Sequence, residues 1–279
     1  MCALFTIAIG TMAIKKSYEH GSVAIELAVS QQVTAGALAL LLLPRALRSG
    51  VSRRQWGHAA AGGVALGVSN VLAFEGFVRL PAGVLLVMLY SSPVWVAIGQ
   101  SVFLRTPPTR AETVAAVLAV VGIIVMVGSF DPSLDVLGMA YGLTSGILFA
   151  ASLLLINSLD SVSVSASLVL PAAGLSVFVL WPSAGVAGLA DYPDAPYAVA
   201  VGFLFWLWIT LLLAGQRRTS PMTAVVVSAV EPALVAVLGY VLLSESLRAR
   251  ELIGGACLLV GALLAMASQV RAGTSRTAG

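Results

Sequence analysis

Ten apolar stretches follow one another along this chain, at roughly 2–17, 22–43, 57–78, 81–104, 110–129, 134–156, 162–182, 196–215, 220–243 and 249–269. A helix needs about 20 apolar residues to cross a bilayer. In the hydrocarbon no water is available to the backbone, so each stretch must satisfy its own hydrogen bonds by coiling into a helix. The expected fold is an all-α membrane protein of ten transmembrane helices. Composition agrees: a soluble domain carries about 25% charged residues, whereas this chain is 10% charged and 59% hydrophobic, with mean hydropathy +1.01. The first stretch is short and spans only if Lys15 and Lys16 snorkel to the interface. It has no charged region ahead of it and reads as a retained helix, not a cleaved signal peptide.

The ten stretches fall into two sets of five. Displacing the sequence by 139 positions without a gap lays Arg79 on Arg218, Pro93 on Pro232 and Val96-Ala97 on Val235-Ala236. The same shift lays Val102 on Val241, Leu104 on Leu243, Glu112 on Glu251 and Val121-Gly122 on Val260-Gly261. A gapless series of this length marks a duplicated unit. The repeats are expected at 1–130 and 131–271, followed by a disordered cytoplasmic tail at 272–279, with the boundary in the turn-forming Ser129–Asp135. An odd number of spans per repeat inverts the second copy relative to the first. Arg45, Arg48, Arg53, Arg54, Arg105, Arg110, Arg217, Arg218, Arg271 and Arg276 then share one side of the membrane. Lys15, Lys16, Arg79, Arg248 and Arg250 share the other with Asp131, Asp135, Asp191 and Asp194. The excess of Lys and Arg on the first side places both termini in the cytoplasm of an inner (plasma) membrane protein.

Polar residues inside such stretches carry the functional expectation, because an ionised side chain at the bilayer centre costs roughly 3 kcal/mol. Glu231-Pro232 lies midway along an otherwise apolar segment. Its carboxyl either handles a substrate or a proton, or stays neutral and satisfies the backbone freed by the proline. Ser228 is one turn away. In the first repeat Ser92 occupies the position of Glu231, Pro93 marks the matching helix kink to that at Pro232, and Tyr90 and Trp95 are candidates to line a cavity or simply to pack. Asn70 and at least one of the adjacent amides Gln31 and Gln32, with Gln32 the candidate for the inward position, either bridge helices or contact solute. Glu26 and Glu75 lie nearer the membrane surface. Trp206 and Trp208 are two apart, so at most one faces any pathway.

Several classes of function find no support. The net charge of +3 forms no basic tract with interleaved aromatics, so no nucleic-acid partner is expected. His20 and His58 lack neighbouring ligands, Cys2 and Cys257 both lie in apolar stretches, and no metal or cofactor is expected. No nucleophile-elbow, zinc-hydrolase or phosphate-loop motif appears, and the chain is not expected to be an enzyme. The small-residue faces Gly63–Gly67, Gly138–Gly142 and Gly142–Gly146 suit close helix packing within one chain or, alternatively, a homodimer contact.

The segment RRTSPMTAVVVSAVEPALVAVLGYVLLSESLRARELIGGACLLVGALLAMA resembles the last two helices of the EamA-type branch of the drug/metabolite transporter superfamily. LPAGVLLVMLYSSPVWVAIGQSVFL and VAAVLAVVGIIVMVG resemble their first-repeat counterparts. Where that family has Trp-Gly in its first helix and an arginine in its second, this chain has Ile9-Gly10 and Gln31-Gln32, so no site built on those residues transfers. In the first repeat the acidic residue after the proline helix is replaced by Arg105-Thr106-Pro107-Pro108. The resemblance implies a secondary transporter whose first four helices in each half form a core around a solute site, with Glu112 and Glu251 capping the peripheral fifth and tenth. Its partners would be the lipid bilayer, a small-molecule solute and protons. Export by alternating access is the expectation; import, or a non-transporting scaffold or regulator with a closed core, is the alternative.

Overall fold

The computed structural model describes residues 3, 6, 8–10, 13–14, 23–48, 50–80, 82–128, 135–159, 162–190, 195–217, 219–243 and 248–277, and every regular element among them is helical. In order these are α1 (Ala24–Ala39), continued by a tight turn at Leu40–Leu42, then α2 (Leu43–Arg48) and α3 (Arg53–Arg79). They are followed by α4 (Ala82–Leu89), α5 (Ser92–Gly99) with a wide final turn at Gln100–Leu104, α6 (Arg110–Val127) and α7 (Val136–Ile156). Then come α8 (Val162–Leu180), α9 (Pro182–Ala190), α10 (Ala195–Gln216), α11 (Pro221–Ser228), α12 (Glu231–Leu243) and α13 (Ala249–Thr277).

Polar residues set where the long helices begin, because the first four N–H groups of a helix need acceptors from outside it. Ser52 and Gln55 close a reciprocal capping box on α3, and Thr109 and Glu112 close one on α6. Asp135 Oδ1 accepts from Leu137 N at 2.8 Å and Gly138 N at 3.0 Å to start α7. Ser220 Oγ accepts from Thr223 N at 3.1 Å to start α11, and Glu251 Oε2 accepts from Arg248 N at 3.0 Å to start α13. At its other end α6 stops at Gly128, whose φ of +85° favours glycine.

Among the described residues eight helical segments are long and apolar enough to cross a membrane, and a shorter apolar helix covers Ala166–Leu180. The expected first span, 2–17, lies mostly outside the described residues, as do Lys15, Lys16, His20 and most of the 129–135 turn. α13 continues to Thr277, into the stretch expected as a tail; 278–279 lie outside the described residues. Phe103 is 81% exposed and Leu41 73%. Side chains of this kind are stable facing lipid and would be a liability in water.

Packing follows the duplication. A β-carbon placed on Gly63 of α3 would lie 2.5 Å from Val169 O and 2.6 Å from Ala172 Cβ on α8. Its equivalent 139 residues on, Gly202 of α10, would meet Thr34 Cβ at 2.5 Å and Gln31 O at 3.0 Å on α1. Thus α3 rests on α8 as α10 rests on α1. The helices α1 and α8 also cross each other: Gly36 approaches Leu170 O, and Gly174 approaches Gln32 O. Residue numbers rise along one helix as they fall along the other, so the two run antiparallel. α6 and α13 repeat the pattern, with Gly122 against Gly254 and Gly261 against Ala115 O. The small-residue faces are therefore spent inside the chain, including Gly138, Gly142 and Gly146 of α7, which receive Leu80, Met88 and the Met88 and Leu89 carbonyls.

Candidate functional site

Two helices are broken at equivalent places. α4 ends at Leu89 and α5 begins at Ser92; α11 ends at Ser228 and α12 begins at Glu231. In both cases the proline is the second residue of the new helix. Pro93 and Pro232 have no N–H and clash with the carbonyl four residues earlier, so the preceding helix stops, while a first-turn position suits proline well. The expected kinks are thus two-residue breaks at 90–91 and 229–230, which lie 139 apart. Tyr90 sits in one break and Glu231 opens the helix after the other. Their side chains meet, Tyr90 Oη donating to Glu231 Oε2 at 2.5 Å.

A cavity of about 560 Å³ lies beside this pair. Glu231, Ser228, Tyr90, Ser92 and Asn70 all line it, as does Pro232. Asn70 Nδ2 donates to Gln31 Oε1 at 2.9 Å, and both residues line the cavity. Ser92 is fully buried and its hydroxyl has no hydrogen-bond partner among the described residues.

Other candidates go elsewhere. Gln32 does not line the cavity; it is fully buried where α1 crosses α8, and its amide has no partner among the described residues. A step of one residue turns a helix by about 100°, so adjacent amides cannot share a face, and Gln31 holds the inward position. Trp95 also lies outside the cavity: its Nε1 donates one turn back to Ser91 Oγ at 3.1 Å and its ring packs into the core. Pro93 breaks its helix without lining the cavity. Glu26 and Glu75 are half-buried away from it.

Sequence reasoning missed much of the wall. Ser69 Oγ donates to Ser145 O at 2.9 Å and Ser145 Oγ to Ser69 O at 2.7 Å, joining α3 to α7. Phe149 stacks on Trp208 with centroids 6.2 Å apart, and Phe205 meets the same Trp208 edge-on at 5.3 Å. All five line the cavity. The available signal was a polar or aromatic residue within an apolar stretch, which for Trp208 left a choice with Trp206.

The two ends of the bundle differ. Along α3 the lining starts at Leu66 and reaches Phe77; along α6 it starts at Ile123 and reaches the last residue, Val127. Glu251, in the first turn of α13, also lines it. The cavity therefore extends toward the end where α6 stops and α13 starts. At the opposite end Glu112, 3% exposed, accepts from Ser220 Oγ and from Thr223 Oγ1 at 3.3 Å, besides capping its own helix. This clamps α6 of the first half to α11 of the second. The positions equivalent to Ser220 and Thr223 are Pro81 and Val84, which have no hydroxyl to offer Glu251.

Comparison with known proteins follows the same division. The model of the EamA-like transporter family matches residues 1–128 and again residues 133–267. No curated protein matches the chain. Among solved structures, 29 chains match. One of them, a crystal structure whose description names no function, has a TM-score of 0.68 at 19% identity, covering 96% of this chain and 95% of that one. At that identity the likeness is one of fold.

Proposed function

The chain belongs to the EamA-like transporter family, and from that premise we propose that it is a secondary transporter of the inner membrane. In this reading it exports a small organic solute (a metabolite, an amino acid or a drug-like molecule) through the cavity between its halves. The two halves would be inverted repeats across the bilayer and would rock against each other, opening the cavity to one side and then the other. Glu231 would bind the solute and exchange a proton for it.

The observation that carries this reading is the Tyr90–Glu231 hydrogen bond, made between the breaks of the two equivalent helices at the edge of a solute-sized cavity. Broken helices at the interface of two repeats are where transporters of repeat architecture place solutes. A filled core, as a scaffold would have, does not need such a space. Extracellular and cellular metabolites measured by mass spectrometry, with and without the gene, identify the exported solute. Flux of that solute into proteoliposomes under an imposed pH gradient then tests Glu231. The gradient is expected to accelerate flux in the native protein and not in Glu231→Gln, and an unchanged gradient dependence removes Glu231 as the coupling group.

A further inference from the structure

The halves meet along two seams that are built differently. At the first, α3 and α7 are stapled at two depths. Ser69 and Ser145 donate to each other's carbonyls beside the cavity, and His58 Nδ1 meets Ser158 Oγ, just past the end of α7, at 2.5 Å. Both helices run unbroken between these points. At the second seam α6 meets α11, a helix of 8 residues that stops at the break of 229–230. Of α11 only its last residue, Ser228, lines the cavity, and α6 contributes nothing before Ile123. Pro221–Val226 are buried between the cavity and the closed end. At 1.5 Å per residue, the stretch from Pro221 to Val227 is a plug about 10 Å deep.

The packing of this plug is apolar and therefore non-directional. Its directional contacts sit at its far end, where Glu112 of α6 accepts from Ser220 Oγ and from Thr223 Oγ1 at 3.3 Å. Both hydroxyls belong to the start of α11, the point most distant from the break, so a small rotation at Ala229-Val230 moves them furthest. We propose that α11 is a gate. It swings on Ala229-Val230, and the hydrogen bonds of Ser220 and Thr223 to Glu112 are the latch that keeps the closed end shut. The equivalent positions at the other end are Pro81 and Val84, which cannot form this latch, so it biases the molecule toward the state with that other end open. Releasing it is the step that turns the cavity toward the side where α6 begins. The proposal rests on the transporter reading, which supplies what passes the gate, and deepens it by naming the part that moves.

The reporter is Val226→Cys in a Cys2→Ser, Cys257→Ser background, because Val226 is 0% exposed and lies between latch and cavity. Sealed vesicles receive an impermeant thiol reagent on the side from which Arg110→Cys reacts. Ser220→Gly combined with Thr223→Val removes both donors and costs α11 little of its cap, since glycine caps nearly as well as serine. The pair is expected to raise the labelling rate of the reporter about tenfold or more, the factor by which lost hydrogen bonds to a buried carboxyl shift an opening equilibrium. Thr223→Ser keeps the donor and should label like the native reporter. So should Ser52→Gly, which removes a cap of the same kind from α3. A thermal melt of each variant identifies lost folding; should the pair fail to fold, Thr223→Val alone is read, with an expected rise of about threefold. An unchanged rate in a folded latch variant, or an equal rise in Ser52→Gly, overturns the latch. Metabolite flux measured on the same chains tells the two readings apart. Faster labelling without flux in any chain leaves the gate standing and removes transport; flux with labelling indifferent to the latch leaves transport standing and removes the latch.

Discussion

Tyr90 and Glu231 are 141 residues apart in sequence and 2.5 Å apart in space. A hydrogen bond to a carboxyl of this kind contributes about 1–3 kcal/mol. Tyr90→Phe is accordingly expected to lower the unfolding midpoint of the purified protein by a few degrees. Ser92→Ala, which removes a buried hydroxyl that lacks a partner among the described residues, should leave the midpoint unchanged or raise it. Asp135 gives a pH prediction outside the membrane. The Gly138 N–H it caps, then the Leu137 N–H and Arg79 at 3.4 Å, hold its carboxyl below the usual value of 3.8. A folded-state value below the unfolded one means its stabilisation is fully present above the unfolded value and disappears as the pH falls through the folded one. Asp135→Asn should thus flatten the acid limb of the stability curve by lowering stability at neutral pH while changing little below the folded-state value. Glu231, Tyr90, Asn70, Ser228 and Ser92 were legible as cavity candidates because polar groups in apolar stretches are few. The choice between Gln31 and Gln32 was not, because α1 is apolar around most of its circumference and its sequence does not mark which face turns inward.

At the scale of helices, length and hydropathy in the sequence located the eight membrane-length helices seen among the described residues, and Pro93 and Pro232 located the breaks. What it could not locate was which helix rests on which, since every face is apolar and packing is decided by where backbones can approach. The glycines record that choice. Gly63→Ala and Gly202→Ala each drive a methyl into the facing helix, and overpacking of this kind costs about 1–3 kcal/mol. Gly57 and Gly215 have nothing within 4 Å of such a methyl, so alanine there should be neutral, or stabilising by up to about 1 kcal/mol through helix propensity. Melting curves of the four variants in one detergent compare them directly. If Gly63→Ala and Gly57→Ala behave alike, the close crossing of α3 and α8 is not what holds these helices together. The resemblance implied that Glu112 caps its helix, and it does so together with Thr109. That the same carboxyl would also clamp Ser220 was invisible, because it depends on how the halves meet.

At the scale of the whole molecule, the shift of 139 residues seen in the sequence reappears as an exchange of contacts between the halves. The antiparallel pairs α1–α8 and α6–α13 place equivalent helices in opposite directions. On the orientation proposed from the Lys/Arg excess, with the Arg-rich loops in the cytoplasm, a single cysteine at Arg110 should be labelled by an impermeant thiol reagent only from the cytoplasm, and one at Asp135 only from outside, both in a Cys2→Ser, Cys257→Ser background. Labelling of both from the same side would deny the inverted arrangement. The symmetry is not complete, and the exception falls at the centre: the backbone breaks match, yet one corner carries an acid and the other a hydroxyl. On the transporter reading, a solute seated there would have a fixed head and a fixed tail. It could keep a single pose while the doors on either side swap, so a machine nearly twofold in its moving parts could still handle molecules that have no symmetry at all.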